Sequence, residues 1–189
     1  MERVQTVSKV INLIQQAILP ALKGAKIVVD ATAGNGNDTL FLAQHTPDDA
    51  KIYAFDVQTE ALQQTRQLTA DFSAKIEYVL RSHAELDEVV AENIDMAMFN
   101  LGYLPGQEHE LTTVWESTQI AVTKVLRKLV VQGICVIVAY PGHAAGKEEA
   151  MQLEAYLQRL SKREYTVGCY RLLNHAATAP YAFVIEKTR

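Results

Sequence analysis

The sequence predicts an α/β protein built on a doubly wound, mostly parallel sheet, with an extra amino-terminal helix and an antiparallel hairpin at the carboxyl end. Three observations carry this expectation. Short apolar runs and longer amphipathic runs alternate five times. The short runs are continuously apolar rather than alternating, as strands covered on both faces are. The last two β-like runs are joined by too few residues for a crossover helix, so they pair antiparallel.

Each element has its own signal. Val7, Val10, Ile11, Ile14, Ile18 and Leu22 recur at helical spacing, giving an amphipathic helix that ends between Pro20 and Gly24. "KIVVDA" (26–31) is the first strand, and a glycine-containing turn leads from it into a helix through Leu40 and Leu42. "KIYAFD" (51–56) is the second, followed by a helix from Thr59 to Asp71; "KIEYVL" (75–80) is the third, followed by a short helix from about Ala84. "IDMAMF" (94–99) is the fourth, and after a loop a long helix runs through Val122, Val125, Leu126 and Leu129. "GICVIVAY" (133–140) is the fifth, with a helix from about Lys147 to Lys162. Tyr165 to Leu173 and Tyr181 to Lys187 form the closing hairpin around a turn with Asn174 and Pro180. Right-handed crossovers then place ligands at the carboxyl ends of the parallel strands. At 189 residues the chain is expected to be one domain, residues 1–24 supplying the leading helix and 25–189 the core.

Composition narrows the class. Hydrophobic residues at 49% and charged residues at 21% are those of an ordinary globular protein, with no repeat and no low-complexity segment. No apolar run reaches membrane-spanning length and the start of the chain lacks a signal-peptide pattern, so a cytoplasmic location without membrane association is expected. A net charge of −4 argues against a general nucleic-acid-coating protein but leaves room for a local basic patch on one RNA site. Arg3, Lys9, Lys23, Arg81, Arg127, Lys128, Arg159, Lys162 and Arg163 are the candidates for such a patch. Cys135 and Cys169 read as small buried hydrophobes, and the five scattered histidines offer no metal-ligand spacing.

Two loops carry the chemistry. In "DATAGNGNDT" (30–39), Gly34 and Gly36 let the backbone turn tightly and approach a ligand, and Asp38 sits at the helix start. The second strand ends in Asp56, where a carboxylate can accept hydrogen bonds from ribose hydroxyls. Thr39 stands where a nicotinamide fingerprint has its third glycine, and Asp30 suits a cofactor with positive charge and no phosphate, such as S-adenosylmethionine. The second loop is "NLGYLPG" (100–106). Asn100, at the end of the fourth strand, can accept a hydrogen bond from an amine N–H, Tyr103 can stack on a planar ring, and Pro105 stiffens the loop. The pattern is similar to the Asn-Pro-Pro-Tyr signature of amino-group methyltransferases, with Leu101 and Gly102 in place of the prolines. "GHAAGKEE" (142–149) is one residue short of a phosphate loop and continues into Glu148 and Glu149, which would repel a triphosphate.

Taken together, "DATAGNGNDTLFLA", "AFDVQTEALQQTR", Ser82-His83, "MFNLGYLPG" and "YPGHAAGKEE" resemble, in order, a family of small class I methyltransferases with a Rossmann-like fold. Its members, once labelled rRNA methylases, are assigned as tRNA methyltransferases acting on 5-aminomethyl-2-thiouridine at the wobble position. The resemblance implies S-adenosyl-L-methionine as cofactor, tRNA in its anticodon region as partner, and a homodimer. It implies that Asn35, Asn37 and Asp38 line the methionine side of the cofactor, that Asp56 and Gln58 hold the ribose and adenosine, and that Ser82 and His83 sit by the adenine. It also implies an acceptor pocket of Asn100, Gly102, Tyr103, Leu104, Pro105, Tyr140, Gly142 and His143. Departures from the family pattern are Ala33, Asn37, the run Gln107-Glu108-His109 and the tail "NHAATAPY". Read from the residues alone, Ser82 and Glu85 also make a capping box, and His143 also suits a loop-to-helix junction. A methyltransferase for another amine, in rRNA, protein or a small molecule, is a second expectation; a nicotinamide-dependent oxidoreductase and a silent binding module are more distant ones.

Overall fold

In the computed structural model, which describes residues 9–102 and 113–189, the apolar runs become seven strands of one sheet in the order β3-β2-β1-β4-β5-β7-β6. The strands are β1 (Ile27–Asp30), β2 (Lys51–Asp56), β3 (Ile76–Leu80), β4 (Ile94–Asn100), β5 (Leu129–Ala139), β6 (Tyr165–Tyr170) and β7 (Tyr181–Lys187). β1 to β5 pair in parallel, while β7 inserts antiparallel between β5 and β6. The expected hairpin therefore finishes the sheet. The chain leaves β1 toward β2 on one side and returns from β3 to β4 on the other, so a crevice opens between the carboxyl ends of β1 and β4.

Alternate residues of each strand face opposite layers. On β4, Met96 and Met98 enter a core with α1 (Val10–Leu22), α2 (Asn37–His45) and α3 (Thr59–Leu68). Ala97 and Phe99 enter the other core, with α4 (Leu86–Val89), α5 (Trp115–Lys128) and α6 (Ala144–Leu157). Because both faces are covered, β2 has to be apolar from Ile52 to Phe55 without alternation. Helix α1 buries Val10, Ile14, Ile18 and Leu22 on one stripe, each worth about 1.5–3 kcal/mol of apolar burial. No helix among the described residues is long and apolar enough to cross a membrane.

Several boundaries differ from expectation. Leu129 begins β5 rather than ending α5; it pairs with Ile94, and the strand resumes regular pairing at Ile134 after Gln132 adopts a φ of 68°. Helix α6 starts at Ala144, where His143 caps it, and stops at Leu157, short of Lys162. Helix α3 stops at Leu68 and a 3-10 turn, Ala70–Lys75, completes the connection. β6 stops at Tyr170 rather than Leu173. Cys135 is buried as expected, but Cys169 is exposed, because β6 is the edge strand and its apolar run has no layer over it.

Candidate active site

The loop after β1 is held from three sides. Ala31 N–H donates to the Met98 carbonyl and Ala33 N–H to the Phe55 carbonyl, so the loop is pinned to both neighbouring strands. The Thr65 hydroxyl of α3 donates to the Gly34 carbonyl at 3.1 Å. Gly36, at the helix start with φ +82°, faces α3: a Cβ there would lie 2.7 Å from Thr65 Cα. Its role is close helix packing, and it does not line the cavity.

Asp30 also differs from expectation. It is buried beneath the loop, taking the Thr39 hydroxyl at 2.5 Å and the Thr32 N–H at 3.1 Å, and it does not line the cavity. Burial, and then the charge of Asp38, push its carboxyl up to about 7. Asp30 shapes the loop from behind.

The cavity itself, about 590 Å³, opens at the crevice between β1 and β4. On one side stand Gly34, Asn35, Asn37, Asp38, Asp56, Gln58, Ser82 and His83. On the other are Asn100, Gly102, Tyr140, Gly142 and His143, so most of the sequence-derived residues meet in one space. Tyr103, Leu104 and Pro105 lie outside the described residues.

Asp56 is aimed by two backbone donors, Gly34 N–H at 2.9 Å and Gln58 N–H at 2.9 Å, one on each oxygen. A second lone pair on each oxygen is left for a ligand. His83 is buried; its Nδ1 lies 3.1 Å from the Ala31 carbonyl and its ring meets Phe99 edge-on. That carbonyl requires the proton on Nδ1, so Nε2 is the acceptor nitrogen, and it is buried with no protein partner among the described residues. Burial lowers the His83 pKa and keeps the ring neutral. Ser82 caps the following 3-10 turn through Ala84 N–H at 3.2 Å, but Glu85 turns away to pair with Arg81, so only half of the capping box forms.

Asn100 is held at both ends. Its N–H donates to the Thr32 hydroxyl at 2.7 Å, and its Nδ2 donates to Asp38 Oδ2 at 3.2 Å. Gln15 of α1 donates to the other Asp38 oxygen at 3.1 Å. An ionised carboxylate only accepts, so Asp38 selects the amide end of Asn100 and turns Oδ1 away. Oδ1 is buried, with no hydrogen-bond partner among the described residues. Burial raises the Asp38 carboxyl, while its bonds to Gln15 and Asn100 oppose the shift. Tyr140 completes this side: burial and then the charge of Asp38 raise its phenol, and the Asn100 carboxamide works the other way.

His143 is the junction residue: its Nδ1 accepts from Gly146 N–H at 3.1 Å at the start of α6, and it lines the cavity as well. A Cβ on Gly146 would lie 2.2 Å from the Tyr140 carbonyl, so this glycine lets the helix end abut the cavity wall rather than wrap a phosphate. Among the nominated basic residues that are described, only Arg81 lines the cavity, and it pairs with Glu85 and Glu88. Arg127, Lys128, Arg159, Lys162 and Arg163 gather at the far end of the sheet, where α5 and α6 finish and β6 starts opposite Lys187. Lys23 ends α1 just before β1, at that same end; Lys9 precedes α1, and Arg3 lies outside the described residues.

Sequence reading missed Gln15, Thr32, Thr113, Ser117, Thr178 and Pro180. For Thr178 and Pro180 a signal existed: an antiparallel β7 beside β5 brings the hairpin turn to the carboxyl ends of the parallel strands, where the cavity is. For Gln15 and Thr113 no local pattern encodes the contact.

Residues 52–186 match the family model described as "Putative rRNA methylase". The chain belongs to this family. Among curated proteins this chain is 33% identical over 172 residues to the chloroplastic tRNA (mnm(5)s(2)U34)-methyltransferase of Arabidopsis thaliana, a match covering 85% of this chain and 63% of that protein. The chain thus spans under two thirds of the plant relative's length. Among solved structures it superposes on a "putative rRNA-methylase" of Clostridium thermocellum with a TM-score of 0.91 and 31% identity, covering 95% of this chain and 97% of that one. It also superposes on a "putative methyltransferase" of Streptococcus mutans in complex with SAH, with a TM-score of 0.85 and 32% identity over 99% of both chains. The chain has the Rossmann-like class I methyltransferase fold.

Proposed function

We propose that this protein is an S-adenosyl-L-methionine-dependent tRNA methyltransferase that N-methylates the aminomethyl group of 5-aminomethyl-2-thiouridine at the wobble position, as a cytoplasmic homodimer. One observation carries the reading: a buried carboxamide oxygen, Asn100 Oδ1, has no hydrogen-bond partner among the described residues at the end of β4 and is oriented by Asp38. A buried acceptor without a donor costs about 1–3 kcal/mol, and a ligand N–H or O–H would satisfy it. An amine donates there; a carbonyl or an ether cannot.

The cavity fits the proposed donor on its own residues. Among the described residues His83 Nε2 is a second buried acceptor without a partner, and Asp56 keeps a lone pair on each oxygen for hydroxyls. The negative charges of Asp38 and Asp56, and the absence among the described residues of an unpaired Lys or Arg on this wall, favour a cationic, phosphate-free cofactor. When bound, S-adenosyl-L-methionine supplies a methyl group made electrophilic by the sulfonium.

The residues of this chain then have separable tasks. Thr32 and Asp38 hold Asn100, and Asn100 Oδ1 accepts one N–H of the neutral amine, turning its lone pair into the cavity. Gly102, Tyr140, Gly142 and His143 border the acceptor, and Tyr103, Leu104 and Pro105 follow Gly102 in the same motif. Alignment alone is worth up to about 7–11 kcal/mol in well-oriented reactions, and no general base is required before the amine attacks.

The plant relative's name, a tRNA (mnm(5)s(2)U34)-methyltransferase, supports the acceptor. The test is direct. Purified protein with S-adenosyl-L-methionine is incubated with tRNA from a strain lacking the gene, and nucleosides are measured by mass spectrometry. Conversion of 5-aminomethyl-2-thiouridine to its methylaminomethyl form is expected; methyl transfer to a different nucleoside, or none, rejects this acceptor.

A further inference from the structure

We propose that Glu149, the residue that ends the near-miss phosphate motif, is a positioning residue that holds the acceptor wall at Gly102 through Thr113. Glu149 is 4% exposed and lies on α6, outside the cavity lining. One carboxylate oxygen accepts the Thr113 hydroxyl at 2.7 Å and the other accepts the Thr118 hydroxyl of α5 at 2.7 Å. With its proton committed to Glu149, the Thr113 oxygen presents a lone pair to Gly102 N–H, which donates at 2.9 Å. The Thr113 N–H returns to the Gly102 carbonyl at 3.1 Å. The directions are forced: the carboxylate can only accept, so each hydroxyl must donate to it, and only then is Thr113 a clean acceptor for Gly102.

The consequence lies at the site. Gly102 and Thr113 both line the cavity; Gly102 lies two residues after Asn100 and across from Tyr140, whose ring is 3.7 Å from where a Gly102 Cβ would sit. Gly102 has φ +135°, a conformation that a residue with a side chain rarely adopts, and its N–H and carbonyl are both committed to Thr113. A buried carboxylate on a third element is thus the anchor of a wall it does not touch. Burial raises the Glu149 pKa, and the two threonine hydroxyls oppose that rise.

This inference rests on the reading of the Asn100–Gly102 wall as the acceptor side, so its test separates the two. Four variants are compared: Glu149→Leu, Glu149→Gln, Thr113→Val and Thr118→Val. The readouts are amide exchange at Gly102, affinity for S-adenosylhomocysteine by calorimetry, and kcat and KM for the tRNA acceptor. In Glu149→Leu and Thr113→Val, the Gly102 amide exchanges at least about tenfold faster and kcat/KM for the acceptor falls at least about tenfold, mostly in KM, while S-adenosylhomocysteine affinity stays within about twofold.

Glu149→Gln recovers most of both effects. Its carboxamide oxygen still serves Thr113, and Thr118 can turn its hydroxyl back to the carbonyl of Val114, its helical partner. Thr118→Val removes an equally short bond to Glu149 but leaves Gly102 exchange and acceptor KM at wild-type values. A purely structural role predicts that Thr113→Val and Thr118→Val behave alike, and that result, or unchanged Gly102 exchange in Thr113→Val, overturns the proposal. If Glu149→Leu fails to fold, the threonine pair decides alone. If the wild type does not methylate the proposed nucleoside, the functional reading fails, while the Gly102 exchange of the threonine pair still decides the role of Glu149.

Discussion

Asp38 Oδ2 accepts a hydrogen bond from Asn100 Nδ2 at 3.2 Å, and this contact decides which end of the carboxamide faces the cavity. The two residues lie 62 positions apart, on the first turn of α2 and the last position of β4. Replacing Asp38 by Asn removes the preference, because either end of the new amide can meet either end of Asn100. Turnover by Asp38→Asn is expected to fall about 10–100-fold, consistent with losing about 1.4–2.7 kcal/mol of orientation. Steady-state kinetics against wild type at saturating cofactor checks this.

Gly36 yields a stability prediction rather than a binding one. Its φ of +82° and the 2.7 Å approach to Thr65 Cα leave no room for a methyl group, and the neighbour is backbone. Gly36→Ala should cost about 2–4 kcal/mol, a fall of roughly 4–16 °C in Tm for a domain of this size. Thermal unfolding monitored by circular dichroism measures it.

Asp30 makes stability depend on pH. Its folded carboxyl titrates near 7, above the ordinary 3.8, because burial and the charge of Asp38 disfavour ionisation. The folded state therefore holds this proton more tightly than the unfolded chain. That stabilisation is full below the ordinary carboxylate range and is lost as pH rises through about 7. Asp30→Asn keeps a neutral group at all pH values, so its stability relative to wild type should improve between pH 5 and 8, by on the order of 2–4 kcal/mol. His83, with a lowered pKa, acts oppositely, losing stability as pH falls through the ordinary 6.5, but it does so in both proteins. Denaturant titrations of the pair at several pH values isolate the Asp30 contribution.

Thr32 tests the support of Asn100 from the backbone side. Thr32→Val leaves Asn100 N–H without its 2.7 Å acceptor, which should cost about 1–3 kcal/mol of stability and lower turnover. Chemical denaturation and kinetics on the same preparation check both.

The strands were legible because a sheet covered on both faces demands continuous apolar runs, and "KIYAFD" and "IDMAMF" have no other ready use. Asp56 and Asn100 were legible because their position at strand ends follows from the βα rhythm alone. Contacts between distant segments were not. Nothing local says that Gln15 of the first helix reaches Asp38, or that Glu149 is buried against two threonines instead of repelling an anion at the surface. Asp30 shows the same limit from the other side: a carboxylate at the end of β1 reads as ligand-facing until its partners, Thr32 and Thr39, turn it inward. Cys169 reads as buried because an apolar run does not reveal whether its strand is central or at an edge.

The central claim is that Asn100 Oδ1 receives the amine of the acceptor and does not hold the cofactor. Calorimetry with S-adenosylhomocysteine and single-turnover methyl transfer, measured together on Asn100→Ala, test it most directly. The expected result is cofactor affinity within about twofold of wild type and a methyl-transfer rate lower by about 10²–10³. A variant that transfers methyl groups at the wild-type rate, or one that loses cofactor binding in proportion to its rate, contradicts the claim.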